Sequence, residues 1–308
     1  MKPDAFPGYR IVESVGAGGM STVYRARDRF MRDVAIKALK PEKAAQPRSV
    51  AAFRREGELL IKLEHPNLVK GIERGDAPAP FLVLEFMDGE TIRAMIKRLG
   101  ALDEALALEV VLSAARAVEY LARNGLVHRD IKPGNLMTNR RGQVKLLDLG
   151  FALPMGAAGA ALERAGQTAG TVHYMSPEQA EARTGELDVR ADIYSLGATL
   201  YHMVVGQVPF AGRSTEEIRR KQIREALSPE ALKNRSISRP MHYFIERMMS
   251  KDKDYRYGDV AEMIRDIVEQ RAGYEALQHD PGAAPARARA PTRPVRRSSV
   301  LDRFKKRR

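Results

Sequence analysis

Cysteine and tryptophan are both missing from the 308 residues. Without thiols there is no disulfide framework, no thiolate metal site and no cysteine nucleophile, a usage that fits a reducing cytoplasm. No window approaches about 18 uninterrupted apolar residues, so no membrane span is expected. The opening "MKPDAFPGYR" lacks an apolar h-region and does not read as a secretory signal. No internal repeat is visible. Acids run short toward the far end, where residues 281–308 hold ten Arg or Lys against one Asp. That stretch carries nine of the thirteen net positive charges, leaving a near-neutral body with a basic tail. A nucleic-acid-binding fold, basic throughout, is therefore not expected.

What is present divides into two textures. "YRIVESVGAG" and "STVYRARD" alternate like the arms of a hairpin, "DVAIKAL" adds a third strand, and "FLVLEFM" is a nearly continuous apolar strand. Between them "SVAAFRREGELLIKL" spaces Phe53, Leu59, Leu60 and Leu63 as one face of an amphipathic helix. After Gly89 helices dominate. "ALDEALALEVVLSAARAVEYLARNG" is a long helix closed by Gly125, and "ADIYSLGATLYHMVVG" is apolar nearly all round, the mark of a helix inside a core. "RPMHYFIERMMS" and "DVAEMIRDIVEQR" are two more helices. From about residue 273 proline, alanine and arginine lose all periodicity, which predicts a disordered tail over 273–308.

Several short stretches carry chemistry. "GAGGMSTVY" puts Gly16 and Gly18 at a strand-to-strand turn, where glycines let backbone N–H groups approach phosphate oxygens. Alone, that pattern is more often a structural hairpin than a phosphate cradle. No strand-to-helix step follows it, so a dinucleotide site fits poorly. Lys37, in "VAIK", is a cation among apolar residues, and the adjacent helix offers Glu56 as its partner, an arrangement shared with bland ion pairs. "HRDIKPGNL" crowds Asp130, Lys132 and Asn135 between apolar anchors, and "VKLLDLG" reads as a strand ending on Asp148. Two acids and an Asn offer the hard oxygen ligands that magnesium prefers, and Lys132 adds a cation for an anionic oxygen.

The ordered set "GAGGMSTVY", "VAIK", Glu56, "HRDIKPGN", "DLG" and "SPE" resembles the protein kinases, over roughly residues 9 to 270. Lys132, two residues after Asp130, looks like the Ser/Thr branch. "GTVHYMSPEQA" and "DIYSLGATLYHMVVGQVPF" are similar to the eukaryotic-like Ser/Thr kinases of bacteria. The resemblance implies an α+β, two-lobed fold, with a small antiparallel sheet lobe carrying one helix (9–88) and a larger, mostly helical lobe (89–272), after an extension over 1–8. It implies ATP and Mg2+ as cofactors and Ser/Thr hydroxyls of proteins as acceptors. Lys37 would hold the α/β-phosphates and pair with Glu56. Asp130 would orient the acceptor hydroxyl and take its proton, Lys132 would steady the transferring phosphoryl group, and Asn135 and Asp148 would bind the metal ions. Gly16, Gly18, Val23 and Ala35 would line the nucleotide pocket, behind the gatekeeper Leu84, with the backbones of Glu85 and Met87 reading adenine. Glu178 would pair with Arg256, Asp192 would support the catalytic loop, and His128 would be structural.

Four departures stand out: Leu149 for the usual Phe, Ser21 for the third glycine, Val172 for a proline, and Gly71 where a larger residue is usual. The last is expected to loosen the contact with the Glu56 helix. None removes a catalytic group, which favours an active kinase over the alternative, a nucleotide-binding pseudokinase scaffold. Arg129 is an expected receptor for a phosphate on Thr168, the only hydroxyl side chain between Asp148 and Gly170, while Thr171 is expected beside Asp130 and Lys132. "RRSSVLDRFKKRR" mixes basic clusters with Val300, Leu301 and Phe304. It suggests either a solubilising extension or a tether to an anionic membrane surface, released by phosphorylation of Ser298 and Ser299. The expected location is cytoplasmic, and peripheral at the inner membrane surface only under the tether reading of the tail.

Overall fold

The computed structural model describes residues 5–156, 170–228, 230 and 237–278. Strands β1 (Arg10–Ala17), β2 (Ser21–Arg27), β3 (Asp33–Leu39), β4 (Gly71–Gly75) and β5 (Phe81–Glu85) form one antiparallel sheet in the order β1-β2-β3-β5-β4. Period-two alternation gives β3 two faces. Val34, Ile36 and Ala38 pack with Phe81 and Val83 on one side, while Ala35 and Lys37 turn to the other. The register sets Lys37 opposite Val23 on β2 and Leu82 on β5. Phe6, inside the expected extension, is buried beneath the first face, 4.9 Å from the Phe81 ring. The small lobe's core thus begins before residue 9.

A short helix α1 (Pro41–Ala44) leads to α2 (Pro47–Lys62), whose Phe53, Glu56, Gly57 and Leu60 are buried toward the sheet. Gly71 does the opposite of what its sequence suggests. A Cβ there would lie 2.7 Å from the backbone of both Leu60 and Ile61, so the bare glycine lets β4 press directly on α2. The contact is tighter, not looser.

The large lobe is built on α4 (Glu104–Arg123) and α6 (Val189–Val205). Asp103 caps the first by accepting from the Leu106 amide at 2.9 Å. Gly125, at φ 70°, carries the chain out of it as the glycine had suggested. α6 is buried along almost its whole length, as its uniform apolarity requires. Around this pair lie α3 (Ile92–Leu99), α5 (Pro177–Ala180), α7 (Thr215–Arg224), α8 (Arg239–Met248) and α9 (Val260–Gln278). α9 runs six residues past the expected end of the domain at 272, so order continues into the stretch read as tail. Thr168 and residues 279–308, with Ser298 and Ser299, lie outside the described residues.

Two small sheets lie in the large lobe and flank the loop over residues 128–135. β6 (Gly89–Thr91), β8 (Leu136–Asn139) and β9 (Val144–Leu146) form one, and β7 (Leu126–Val127) pairs with β10 (Leu153–Pro154) in the other. One apolar cluster runs through both lobes, from Leu60 and Leu68 to Leu136, Leu146 and Leu149. Leu149 is 1% exposed, so the smaller side chain fills the slot expected of it.

Candidate active site

The loop between β7 and β8 is held from beneath by one carboxylate. Asp192, fully buried on α6, accepts the His128 and Arg129 amides, each at 2.8 Å. Arg129 sits at φ 71°, a left-handed conformation that costs a non-glycine residue about 1–3 kcal/mol. The two amide bonds fix that strained turn and aim the next residue outward. His128 contributes from below, its Nδ1 accepting the Asp130 amide at 3.2 Å. Burial holds its imidazole below the ordinary range, so it stays neutral.

Asp130 is the centre of the resulting cluster. Lys132 Nζ donates to both of its carboxylate oxygens at 2.8 Å and to Thr171 Oγ1 at 2.8 Å. Thr171 Oγ1 in turn lies 3.1 Å from Asp130 Oδ1. Asn135 closes the far side, its amide nitrogen donating at 2.8 Å to the Asp130 carbonyl and to Oδ2. Burial raises the Asp130 pKa, and Lys132 pulls against that without overcoming it. The Asp130 carboxylate thus faces a hydroxyl, that of Thr171, with a cation and an amide on its other sides.

Across the cleft, Lys37 Nζ donates to Glu56 Oε1 at 2.5 Å and to Asp148 Oδ2 at 3.0 Å. Burial opposes the Lys37 charge, yet the Asp148 and Glu56 carboxylates outweigh it, and the ammonium is held more firmly protonated than a free lysine. Burial also pushes at Asp148, but the Lys37 cation and the Gly150 amide keep it below the usual carboxylate range. Glu56, buried and facing Asp148, is pushed up to about 7 in spite of Lys37. Asp148 does not end the strand as expected. β9 stops at Leu146, because the Leu147 amide turns away to the Asn135 carbonyl at 2.9 Å. That bond ties the two expected metal ligands into one unit.

The remaining expected residues fall around the same cleft. Gly16 and Gly18 flank the β1–β2 turn, where the Gly18 amide meets the Ser21 carbonyl at 2.8 Å. Val23, half-buried, pairs with Lys37, and Ala35 pairs with Leu84. Glu85 ends β5, and Met87 follows in the connection between the lobes. The Glu85 side chain is itself tied down, accepting from Lys145 Nζ at 2.5 Å and from the Lys70 amide at 2.8 Å. Sequence reading passed over this buried lysine, although a lone cation inside the apolar "VKL" was the available signal. Further from the cleft, Arg256 grips Glu178 with two bonds of 2.8 and 3.0 Å, both side chains buried.

The protein kinase domain family matches residues 9–270. Over 271 residues the chain is 35% identical to serine/threonine-protein kinase PknB of Mycobacterium tuberculosis H37Rv, covering 86% of this chain and 43% of that protein. It is 34% identical over 271 residues to PknB of Mycolicibacterium smegmatis, with the same coverage of 86% and 43%. The probable serine/threonine-protein kinase SCO3848 of Streptomyces coelicolor is 36% identical over 265 residues, covering 84% of this chain and 39% of that one. The chain belongs to the protein kinase family. It spans less than half the length of these curated relatives.

Proposed function

We propose that this chain is a Ser/Thr protein kinase, moving the γ-phosphate of ATP to Ser or Thr hydroxyls of proteins. The observation that carries the reading is the meeting of Asp130, Lys132 and a threonine hydroxyl within hydrogen-bond reach, facing the Lys37–Asp148 pair. Asp130 orients the acceptor O–H and takes its proton as the oxygen bonds to the γ-phosphorus and the bond to the β–γ bridging oxygen breaks, that electron pair leaving with ADP. Lys132 balances charge on the phosphoryl oxygens, and Lys37 holds the phosphates from the other side. Charge neutralisation of this kind works best in a closed, water-poor cleft, which the burial of Glu56 and Asp130 supports.

The donor set suits magnesium, which Asn135 and Asp148 would hold. The Asn135 nitrogen is spent on Asp130, leaving its carbonyl oxygen as a ligand. Among the described residues no group of three His, Cys, Asp or Glu side chains could hold a metal alone. That fits an ion whose shell is completed by nucleotide phosphates and water. When bound, it supplies charge neutralisation between the phosphates.

Two regulatory readings accompany this. Arg129 Nε and Nη2 are buried and find no partner among the described residues, which supports a receptor for a phosphate on the segment that includes Thr168. The ten basic residues of 281–308 support a salt-sensitive attraction to an anionic membrane surface. No helix among the described residues is long and apolar enough to cross a membrane. The test of the main reading is transfer of label from γ-labelled ATP to protein, wild type against Asp130→Asn. Label on Ser or Thr that disappears in the variant supports it. Equal labelling by both would overturn it.

A further inference from the structure

We propose that Arg93 selects substrates bearing an anionic side chain close to the acceptor hydroxyl. The inference rests on the kinase reading above and narrows its substrates from protein hydroxyls in general to an acidic class. Arg93 is the second residue of α3, which packs against the turn Pro133–Asn135. Its Cδ lies 3.9 Å from where a Cβ on Gly134 would be, so the side chain rims the loop that carries Asp130 and Lys132. On its other side it acts on Tyr174 and His202, which are joined by a 2.6 Å bond between the Tyr174 hydroxyl and His202 Nδ1. Tyr174 ends the turn that begins next to Thr171, the residue touching Lys132 and Asp130. A polypeptide that delivers a hydroxyl to Asp130 has to pass over this rim.

The rim is positive and lacks a countercharge. Of the neighbouring cations, Arg98 is neutralised by Glu90 and Arg140 by Asp88 at 3.2 Å, while Lys97, one helical turn on, has no carboxylate partner among the described residues. Arg93 is exposed and has no carboxylate partner among the described residues. His202 feels the same sign. Burial, then His173 and Arg93, hold its imidazole down at about 4, with no acid acting in the other direction. An incoming Asp, Glu or phosphorylated side chain provides the missing charge, and a guanidinium meets a carboxylate or phosphate with two parallel N–H···O bonds.

The test uses the full chain and synthetic peptides with one Thr acceptor. Asp, Ala or Lys is placed at each of three positions on either side, and autophosphorylation is followed in the same preparation. Wild type should favour Asp over Lys at one or more positions by about fivefold in kcat/KM, the size an exposed pair can reach. The difference should lie in KM. Arg93→Glu should reverse the preference and Arg93→Lys should retain its direction, each judged as an Asp-to-Lys ratio within the same variant. Phosphoserine outdoing Asp at the preferred position identifies phosphate as the better occupant of the same site. If the enzyme autophosphorylates but its charge profile is flat, or survives Arg93→Glu, the proposal is overturned and the kinase reading stands. If it labels neither itself nor any peptide, the kinase reading fails and this inference falls with it.

Discussion

The two walls of the cleft hold their lysines in different ways. Lys132 meets Asp130 two residues away, and nearly every bond around it comes from 128–135 or from Asp192 and Thr171 in the same lobe. Lys37 depends on Glu56, carried by a separate helix, and on Asp148, which is 111 residues distant. The first wall is built within one lobe, its own groups close in sequence and its support supplied by Asp192 and Thr171. The second exists only while α2 rests against the sheet, and that docking needs Gly71 to have no side chain. The proposed catalytic floor, made within one lobe, and the proposed phosphate clamp, made across the cleft, should therefore respond differently to damage.

Asp130→Asn should cause the largest loss. A positioned base contributes about a hundred- to ten-thousandfold in rate, and phosphoryl transfer under saturating ATP is expected to fall by that order. Nucleotide affinity should hold, because Asn keeps the shape of the floor. Lys37→Met strikes the other wall, and a fall of about a hundred- to a thousandfold is expected from losing one charge-stabilising donor. Its thermal unfolding should remain cooperative. More than a tenth of wild-type activity with a normal melting curve would remove Lys37 from the phosphate clamp.

Arg256→Met tests the bracing far from the cleft. Both partners are buried, so stranding Glu178 should cost about 3–5 kcal/mol of stability, seen as a lower midpoint in denaturant. The pair also has a pH signature. Burial raises the Glu178 pKa, but Arg256 more than compensates and leaves it below the ordinary 4.5. Its stabilisation is thus complete above about that pH and lost as the pH falls through the lower folded value. Acid unfolding in the variant should lose that component. Gly71→Ala is expected to cost less, about 1–3 kcal/mol for overpacking, because the Leu60 backbone must retreat from the new methyl group. Activity should nonetheless fall more than stability, since the retreat moves Glu56 away from Lys37. Activity that tracks the stability loss alone would contradict the long-range clamp.

The floor was legible in the sequence because its groups are neighbours there. Asp130, Lys132 and Asn135 can be placed on one loop from spacing, and the uniform apolarity of "ADIYSLGATLYHMVV" announces the buried α6 beneath it. The clamp was half legible: the helix beside "VAIK" offered Glu56 as the partner of Lys37, but nothing nearby pointed to Asp148, 111 residues away. Elsewhere, close packing overturned the expectation. Gly71 looked like a gap and is a contact between backbones, Asp148 lies beyond its strand, and Phe6 belongs to the core. Lys145 was missed because its partner Glu85 is 60 residues away. Arg93 was missed because an exposed arginine becomes informative only when its neighbours are known.

The separation of the two walls is tested most directly by one paired measurement on Asp130→Asn: ATP affinity with magnesium, and the single-turnover rate of label transfer to a Thr peptide. Affinity within about twofold of wild type, with transfer reduced by about a hundredfold or more, is the expected result. Transfer at the wild-type rate, or affinity lost in proportion to rate, would contradict the assignment of Asp130 as the base on a floor built within one lobe.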